Sequence, residues 1–160
     1  MFSNQDLLKI LQKEFATTLK VMHAYPEDKL DFSPYERSSK AKTIMSIFIF
    51  EMYLIELNIF GIKIESSKFQ TYSPENLQTI ISDFEKETNF VISNLQNLTD
   101  SDMYNSVEFA GTKFTAGDFM LMMLFDQIHH RGQLSVYIRL AGGKVPSVYG
   151  PSADDKTTNL

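Results

Sequence analysis

Three consecutive residues that can carry chemistry, His129, His130 and Arg131, lie in an otherwise apolar stretch near the end of this 160-residue chain. Asp126 precedes His130 by four residues, and residues at that spacing share one face of a helix. A carboxylate and an imidazole on one face can present two ligands to a metal ion. His129 lies about 100° around the helix and cannot join them. Asp126 and His130 are therefore candidate metal ligands; the alternative is a salt-bridging carboxylate beside a hydrogen-bonded core histidine.

A buried carboxylate is predicted on another helix. Glu51 lies in the most apolar segment of the chain, and inside a fold it must be paired, protonated or bound to a cation. It is the candidate for an additional ligand or an acid–base group, and a pair with an arginine is the structural alternative. Arg131 and Arg139 are predicted to pair with Glu51, Glu56 or Asp118, unless they recognise an anion at a cleft.

Two more residues of the predicted helices have structural interpretations. Gly132 costs about 1 kcal/mol relative to alanine inside a helix, which favours a close helix approach, either within the protein or across a dimer interface. His23 lies near the end of the first predicted helix, where a protonated imidazole is favourable, and we do not expect it to be a ligand. The Met and Phe residues around position 120 are interpreted as core.

Composition limits the classes of function. Hydrophobic residues make up 43% of the chain, which indicates a folded globule. The net charge is −5 with no long basic run, so we expect no nucleic-acid partner. There is no cysteine, which excludes disulfides and thiolate sites. Glu51 and Glu56 interrupt the most apolar run, so we expect no membrane span. Without a recognisable signal peptide, a soluble cytoplasmic protein is the expectation.

The hydrophobic pattern predicts an all-α domain over residues 1–160. Four stretches carry apolar residues at helical spacing: residues 5–24, 38–60, 74–95 and 116–140. Ser73 is predicted to cap the third helix, with Pro74 in its first position, and Thr115 the fourth, with Asp118 completing a capping box. Residues 63–72 are predicted as a loop. The long connections favour a four-helix bundle with at least one crossover.

Two segments outside the predicted helices have other patterns. Residues 102–114 carry strand-favouring side chains around an Ala110–Gly111 turn, which predicts a short hairpin or an extended loop. The tail, residues 144–160, begins with a stretch rich in Pro, Gly and Ser and is predicted to run extended over the surface.

Residues 129–139 and 145–154 resemble the C-terminal signature of the DinB-like family, the damage-inducible and bacillithiol-transferase-like four-helix bundles. Residues 26–34 resemble the first inter-helix connection of that family. The resemblance spans most of the chain and implies an up-down-down-up bundle, often a homodimer.

The resemblance also implies a divalent metal ion, such as nickel or zinc, held by three histidines. One comes from the second helix and two come from the last, spaced four residues apart. His130 matches the last ligand and Asp126 falls on the one before it. The second-helix histidine falls on Ile47, or on Ser46 with a one-residue slip, and isoleucine cannot ligate a metal. The expected metal site is therefore an incomplete triad of Asp126 and His130, with Glu51 one turn beyond Ile47.

Two functions follow. In the first, the protein is a metal-dependent thiol transferase or hydrolase acting on a small molecule. In the second, it is a non-catalytic dimeric bundle that binds a small molecule or a protein partner without metal.

Overall fold

The structure is a computed structural model that describes residues 3–70 and 72–154. Within them, helices dominate and the sheet is one small hairpin. The helices are α1 (Asn4–His23), α2 (Ala41–Ile59), α3 (Ser66–Gln70), α4 (Leu77–Leu95) and α5 (Ala116–Leu140), and the strands are β1 (Ser106–Phe109) and β2 (Thr112–Thr115). Short 3-10 turns occupy Glu27–Lys29 and Asp102–Tyr104. The all-α prediction is confirmed.

Local capping sets where the long helices begin. The Thr115 hydroxyl accepts the Asp118 backbone N–H at 3.1 Å, so the predicted cap of α5 forms. The predicted capping box is wrong, because the Asp118 carboxylate accepts from the Thr115 hydroxyl at 2.8 Å rather than from its backbone N–H. The predicted Ser73 cap of α4 is wrong, because the Asn76 side chain accepts the Thr79 N–H at 2.8 Å and the helix begins only after Asn76. Asparagine is as good a cap as serine, and Pro74 lies in the connection before the helix.

The four long helices form a bundle in which α1 and α2 are diagonal and each packs against both α4 and α5. The Asn4 side-chain amide donates to the Leu95 carbonyl at 3.0 Å, so the start of α1 meets the end of α4. The Tyr137 hydroxyl donates to the Ser39 carbonyl at 2.9 Å, so the end of α5 lies at the start of α2. Gly143 lies against Pro26, which places the ends of α1 and α5 together. These contacts define the up-down-down-up order.

Because α2 and α4 run in the same direction, the chain between them crosses the length of the bundle. The prediction of a loop over residues 63–72 is wrong in one respect, because this segment contains the short helix α3. Phe69 packs against the rings of Phe50 and Tyr53, with centroids 5.7 Å apart in both pairs. This aromatic contact with α2 orders a segment that carries no helical signal of its own.

The predicted hairpin forms, with Ser106 opposite Thr115 and Phe109 opposite Thr112. Ala110 and Gly111 both have positive φ, at 50° and 77°, as a two-residue turn of matching twist requires. Phe119, Met120 and Met123 are buried, as the core interpretation predicts, and Met122 is partly buried. The interpretation is wrong for Phe125, which is 63% exposed on the outward face of α5. Within the described ranges, every helix is too short or too polar to serve as a membrane span.

The tail runs along the bundle surface without regular structure over residues 144–154. Its Asp154 carboxylate accepts the Arg139 Nε–H at 2.9 Å and the Val145 backbone N–H at 3.0 Å. The Ser147 carbonyl accepts a hydrogen bond from Lys20 at 3.0 Å. These contacts hold residues 144–154 against α1 and α5; residues 155–160 lie outside the described residues.

Candidate functional site

Asp126 and His130 lie on one face of α5, as their spacing predicts. The Nε2 atom of His130 is 3.6 Å from the Asp126 Oδ2 atom. That distance is too long for a hydrogen bond. The His130 side chain is 18% exposed and the Asp126 side chain 50% exposed, so the pair lies at the edge of the bundle where solutes can reach it.

Gln133 bridges the rings of His130 and His129, and its amide is oriented with the oxygen toward His130. The Gln133 Oε1 atom lies 2.9 Å from His130 Nδ1, and its Nε2 atom lies 2.9 Å from His129 Nε2. An amide oxygen only accepts and an amide nitrogen only donates, so Nδ1–H of His130 is the donor to Gln133. In neutral His130 the lone pair is then on Nε2, which faces Asp126. His130 Nε2, which can bind a cation through its lone pair, therefore faces the Asp126 carboxylate.

Glu51 lies close to Asp126 on the α2 side of the site. Glu51 is only 2% exposed, and its Oε2 atom accepts a hydrogen bond of 3.3 Å from the Gln127 side chain. Its Oε1 atom is buried and receives no hydrogen bond within the described part of the chain. Burial raises the pKa of Glu51 to about 9, and the neighbouring Asp126 carboxylate adds to that rise. Glu51 is therefore a neutral acid near pH 7.

A chain of buried polar groups connects Gln127 to the tail. The Gln127 Oε1 atom accepts from Thr18 at 3.0 Å, and Thr18 accepts from Arg131 at 3.2 Å. Arg131 also donates to the Glu14 carboxylate at 2.6 Å. The Tyr149 hydroxyl donates to the same Glu14 oxygen at 2.6 Å. Arg131, α1 and the tail thus share one hydrogen-bonded network, which ends at Glu51.

The predicted partners of the two arginines are wrong. Arg131 pairs with Glu14 and Arg139 with Asp154. The reason is that α1 packs beside α5, which places Glu14 next to Arg131. A signal for Glu14 exists in the sequence, because Glu14 and Thr18 continue the helical stripe that begins at Leu7 and Leu11, where apolar side chains are expected.

The donor set fits a divalent cation only in part. Two ligands on one ion at about 2.0–2.2 Å lie roughly 3–4 Å apart, and the 3.6 Å separation of His130 Nε2 and Asp126 Oδ2 falls in that range. Ile47, at the position of the expected third ligand, is half-buried and has no donor atom. Across the ranges 3–70 and 72–154, no group of three or more His, Cys, Asp or Glu side chains is arranged to hold an ion. Two donors are in place and a third is missing.

The outward face of α5 is apolar next to this site. Phe125, Val136 and Leu140 are 63%, 55% and 57% exposed. Gly132 lies between them, and a side chain added there would meet nothing within 4 Å. A close helix approach at Gly132 therefore does not occur within the described bundle. His23 is exposed at the last position of α1.

Comparison with known proteins agrees with this architecture. The sequence model of the DinB family matches residues 1–159, and the chain belongs to that family. A relative, the uncharacterized protein YrdA of Bacillus subtilis strain 168, is 30% identical over 83 residues. That match covers 51% of this chain and 50% of YrdA, so it spans about half the length of the relative.

Two solved structures have the same fold. A DinB-like protein from Bacillus cereus superposes with a TM-score of 0.84 at 24% identity, covering 93% of this chain and all (100%) of that one. A DinB-like protein, YjoA, from Bacillus subtilis superposes with a TM-score of 0.69 at 19% identity, covering 94% of this chain and 99% of that one. At these identities the likeness establishes the fold.

Proposed function

We propose that this DinB-family protein binds a divalent metal ion, such as nickel or zinc, through Asp126 and His130 and acts there on a small molecule. The observation that carries the proposal is the 3.6 Å gap between His130 Nε2 and Asp126 Oδ2. A lone pair and a carboxylate directed at each other are unfavourable without a cation between them. The gap is too long for a shared proton and has the right length for two ligands of one ion.

The residues around the pair support this assignment. Gln133 holds His130 by its Nδ1 atom at 2.9 Å, which is how an outer partner orients a metal-ligating imidazole. Glu51 supplies a buried Oε1 atom without a donor beside Asp126. It is the candidate acid–base group of the site. Because Ile47 offers no donor, we expect a weak and exchangeable ion rather than a permanently held one.

The resemblance to the DinB-like family suggests the reaction class, a thiol transfer or a hydrolysis on a small molecule. A divalent ion bound at such a site lowers the pKa of a thiol or a water molecule. The half-exposed Asp126 leaves the site open to solutes. Glu51 and Gln127 are the buried polar residues on the inner side of Asp126.

Metal titration by isothermal calorimetry tests this proposal. The purified full chain, free of any affinity tag, is titrated with Ni²⁺ and with Zn²⁺ at pH 7.5. We expect one site per chain, lost in His130→Ala and weakened at least tenfold in Asp126→Asn. His23→Ala is the matched control, because it also removes one of the three histidines of the chain but lies outside the site.

Equal affinity in the wild type and in His130→Ala would refute the proposed site. Binding that is lost in His23→Ala and retained in His130→Ala would place the ion elsewhere. If Asp126→Asn alone had no effect, Asp126 would not be a ligand.

A second candidate function is a dimeric bundle that binds a small molecule or partner without metal. The exposed stripe of Phe125, Val136 and Leu140 favours a homodimer through α5, because Gly132 at its centre lets a second copy approach closely. Sedimentation equilibrium tests it. We expect a dimer that dissociates in Val136→Asp and persists in the control Lys113→Asp, which changes an exposed residue of the hairpin. A monomeric wild type at all concentrations would rule out the dimer.

A further inference from the structure

A buried carboxyl pair joins α2 to α4, apart from the candidate metal site. Glu56 is on α2 and Glu87 is on α4, and they are 4% and 6% exposed. The two side chains are close enough for a carboxyl–carboxyl hydrogen bond. Oε1 of Glu56 receives no hydrogen bond from any donor in the described ranges. Two ionised carboxylates in this position would repel each other in a medium of low dielectric constant.

Three physical effects favour a proton on Glu56. Burial disfavours its charged form, and the nearby Glu87 carboxylate acts in the same direction, so that the pKa of Glu56 is raised to about 7. Glu56 also lies in the last turn of α2, where the helix dipole disfavours negative charge. Glu87 differs because Lys86 pairs with it at 3.0 Å.

The other charged groups that face the pair come from α3 and α4. Lys68 on α3 opposes the rise of the Glu56 pKa, as does Lys86. Asp83 is held by the Tyr72 hydroxyl at 2.8 Å. Tyr53, also on α2, lies under the Lys68 ammonium, 4.9 Å from its ring centroid.

Glu56 also anchors the start of the crossover. Its backbone carbonyl accepts the N–H groups of Phe60 at 3.2 Å and Ile62 at 3.1 Å. Gly61 between them has φ of 68°, the left-handed conformation that ends a helix. Beyond it, Lys68 of α3 and Tyr72 of the crossover line an open cavity of about 480 Å³ together with Tyr53 of α2.

We propose that Glu56 and Glu87 form a proton-dependent clamp, in which one shared proton ties the end of α2, and with it the first residues of the crossover, to α4. Loss of the proton leaves two buried carboxylates in contact. The end of α2 and the first residues of the crossover then loosen.

The sign of the pH effect follows from the raised pKa. Below about 4.5, the ordinary value for Glu, Glu56 is protonated in both the folded and unfolded chain, and the clamp contributes its full stability. Between about 4.5 and about 7 the unfolded chain releases the proton first, so this stability is lost as the pH rises. Above about 7 nothing further is lost.

Thermal unfolding of the full chain with Glu56→Gln tests the clamp. Glutamine keeps a neutral hydrogen-bond donor toward Glu87 at every pH. The difference in Tm, variant minus wild type, is expected to rise by about 3 °C or more between pH 5 and pH 8. Glu51 titrates in both proteins, so the difference isolates Glu56. Lys68→Met should move the rise to higher pH, because it removes a cation that opposes protonation.

Hydrogen–deuterium exchange of residues 57–70, corrected for the intrinsic pH dependence, gives the second readout. We expect faster exchange at pH 8 than at pH 5.5 in the wild type and no such change in Glu56→Gln. A Tm difference that does not change with pH would overturn the shared proton. A pH-dependent Tm difference with unchanged exchange in the crossover would overturn the clamp.

Discussion

Glu14 and Glu51 are both buried carboxyl groups, 8% and 2% exposed, in one hydrogen-bonded network, yet their surroundings differ. Glu14 has the Arg131 guanidinium and the Tyr149 hydroxyl, each at 2.6 Å. Glu51 has one amide donor, Gln127 at 3.3 Å, and a neighbouring carboxylate, Asp126. The first group is compensated by an opposite charge and the second is not.

This difference indicates that Glu14 has a structural role, whereas Glu51 is a candidate for a functional role. The Glu14–Arg131 pair joins α1 to α5 and to the tail, and all its partners lie within the chain. Glu51 is stable only as a neutral acid or beside an added cation. The uncompensated end of the network is also the end that reaches the open Asp126–His130 pair.

The largest predicted effect comes from removing the compensating charge. Arg131→Met leaves Glu14 buried without its cation, and we expect a loss of about 3–5 kcal/mol in the free energy of unfolding. Urea denaturation at pH 7 measures it. The double variant Glu14→Gln with Arg131→Met should recover most of the loss, because no buried charge remains. A double variant as unstable as the single one would mean that Arg131 acts through packing alone.

The substitution Glu51→Gln is expected to raise the free energy of unfolding rather than lower it. The raised pKa means that stability present below about pH 4.5 is lost as the pH rises toward about 9. Glutamine does not titrate, so the variant should be similar to the wild type near pH 4.5 and more stable at pH 8 by a few kcal/mol, because each pH unit in this interval costs the wild type up to about 1.4 kcal/mol. Urea denaturation in chelator-containing buffer at both pH values measures this. A variant less stable than the wild type at pH 8 would show that Glu51 is compensated after all.

The smallest expected effect is at the tail. Tyr149→Phe removes the hydroxyl that donates to Glu14 and leaves the ring over Arg131. We expect a loss of about 1 kcal/mol in the free energy of unfolding. Tyr104→Phe, at an exposed position, is the matched control and should change nothing measurable. Equal effects of the two substitutions would mean that the tail adds no stability through Glu14.

Local features of the fold could be predicted from the sequence, and long-range partners could not. Thr115 and Asp118 form the predicted cap because the contact spans one helical turn. The predicted cap at Ser73 does not form, because Asn76, three residues later, has a side chain that caps a helix equally well. The choice between the two residues depends on how the crossover packs on α2.

The pairing of Asp126 with His130 could be predicted from the sequence, whereas the hydrogen-bonded network next to this pair could not. The spacing of Asp126 and His130 is set by the helix itself. Glu14, Thr18 and Gln127 join the network only because α1, α2 and α5 meet in the bundle, which no local pattern specifies. The polar interruption of the α1 stripe at Glu14 indicated a buried partner without identifying Arg131 as that partner.

Histidine-ring NMR during a Zn²⁺ titration tests the central claim most directly. Long-range ¹H–¹⁵N spectra of ¹⁵N-labelled protein distinguish the ring nitrogens of the three histidines. The account predicts that neutral His130 carries its proton on Nδ1, and that Zn²⁺ shifts its Nε2 resonance before those of His23 and His129. A proton on Nε2 of His130, or Zn²⁺ shifts confined to His23 and His129, would contradict a metal site at Asp126 and His130.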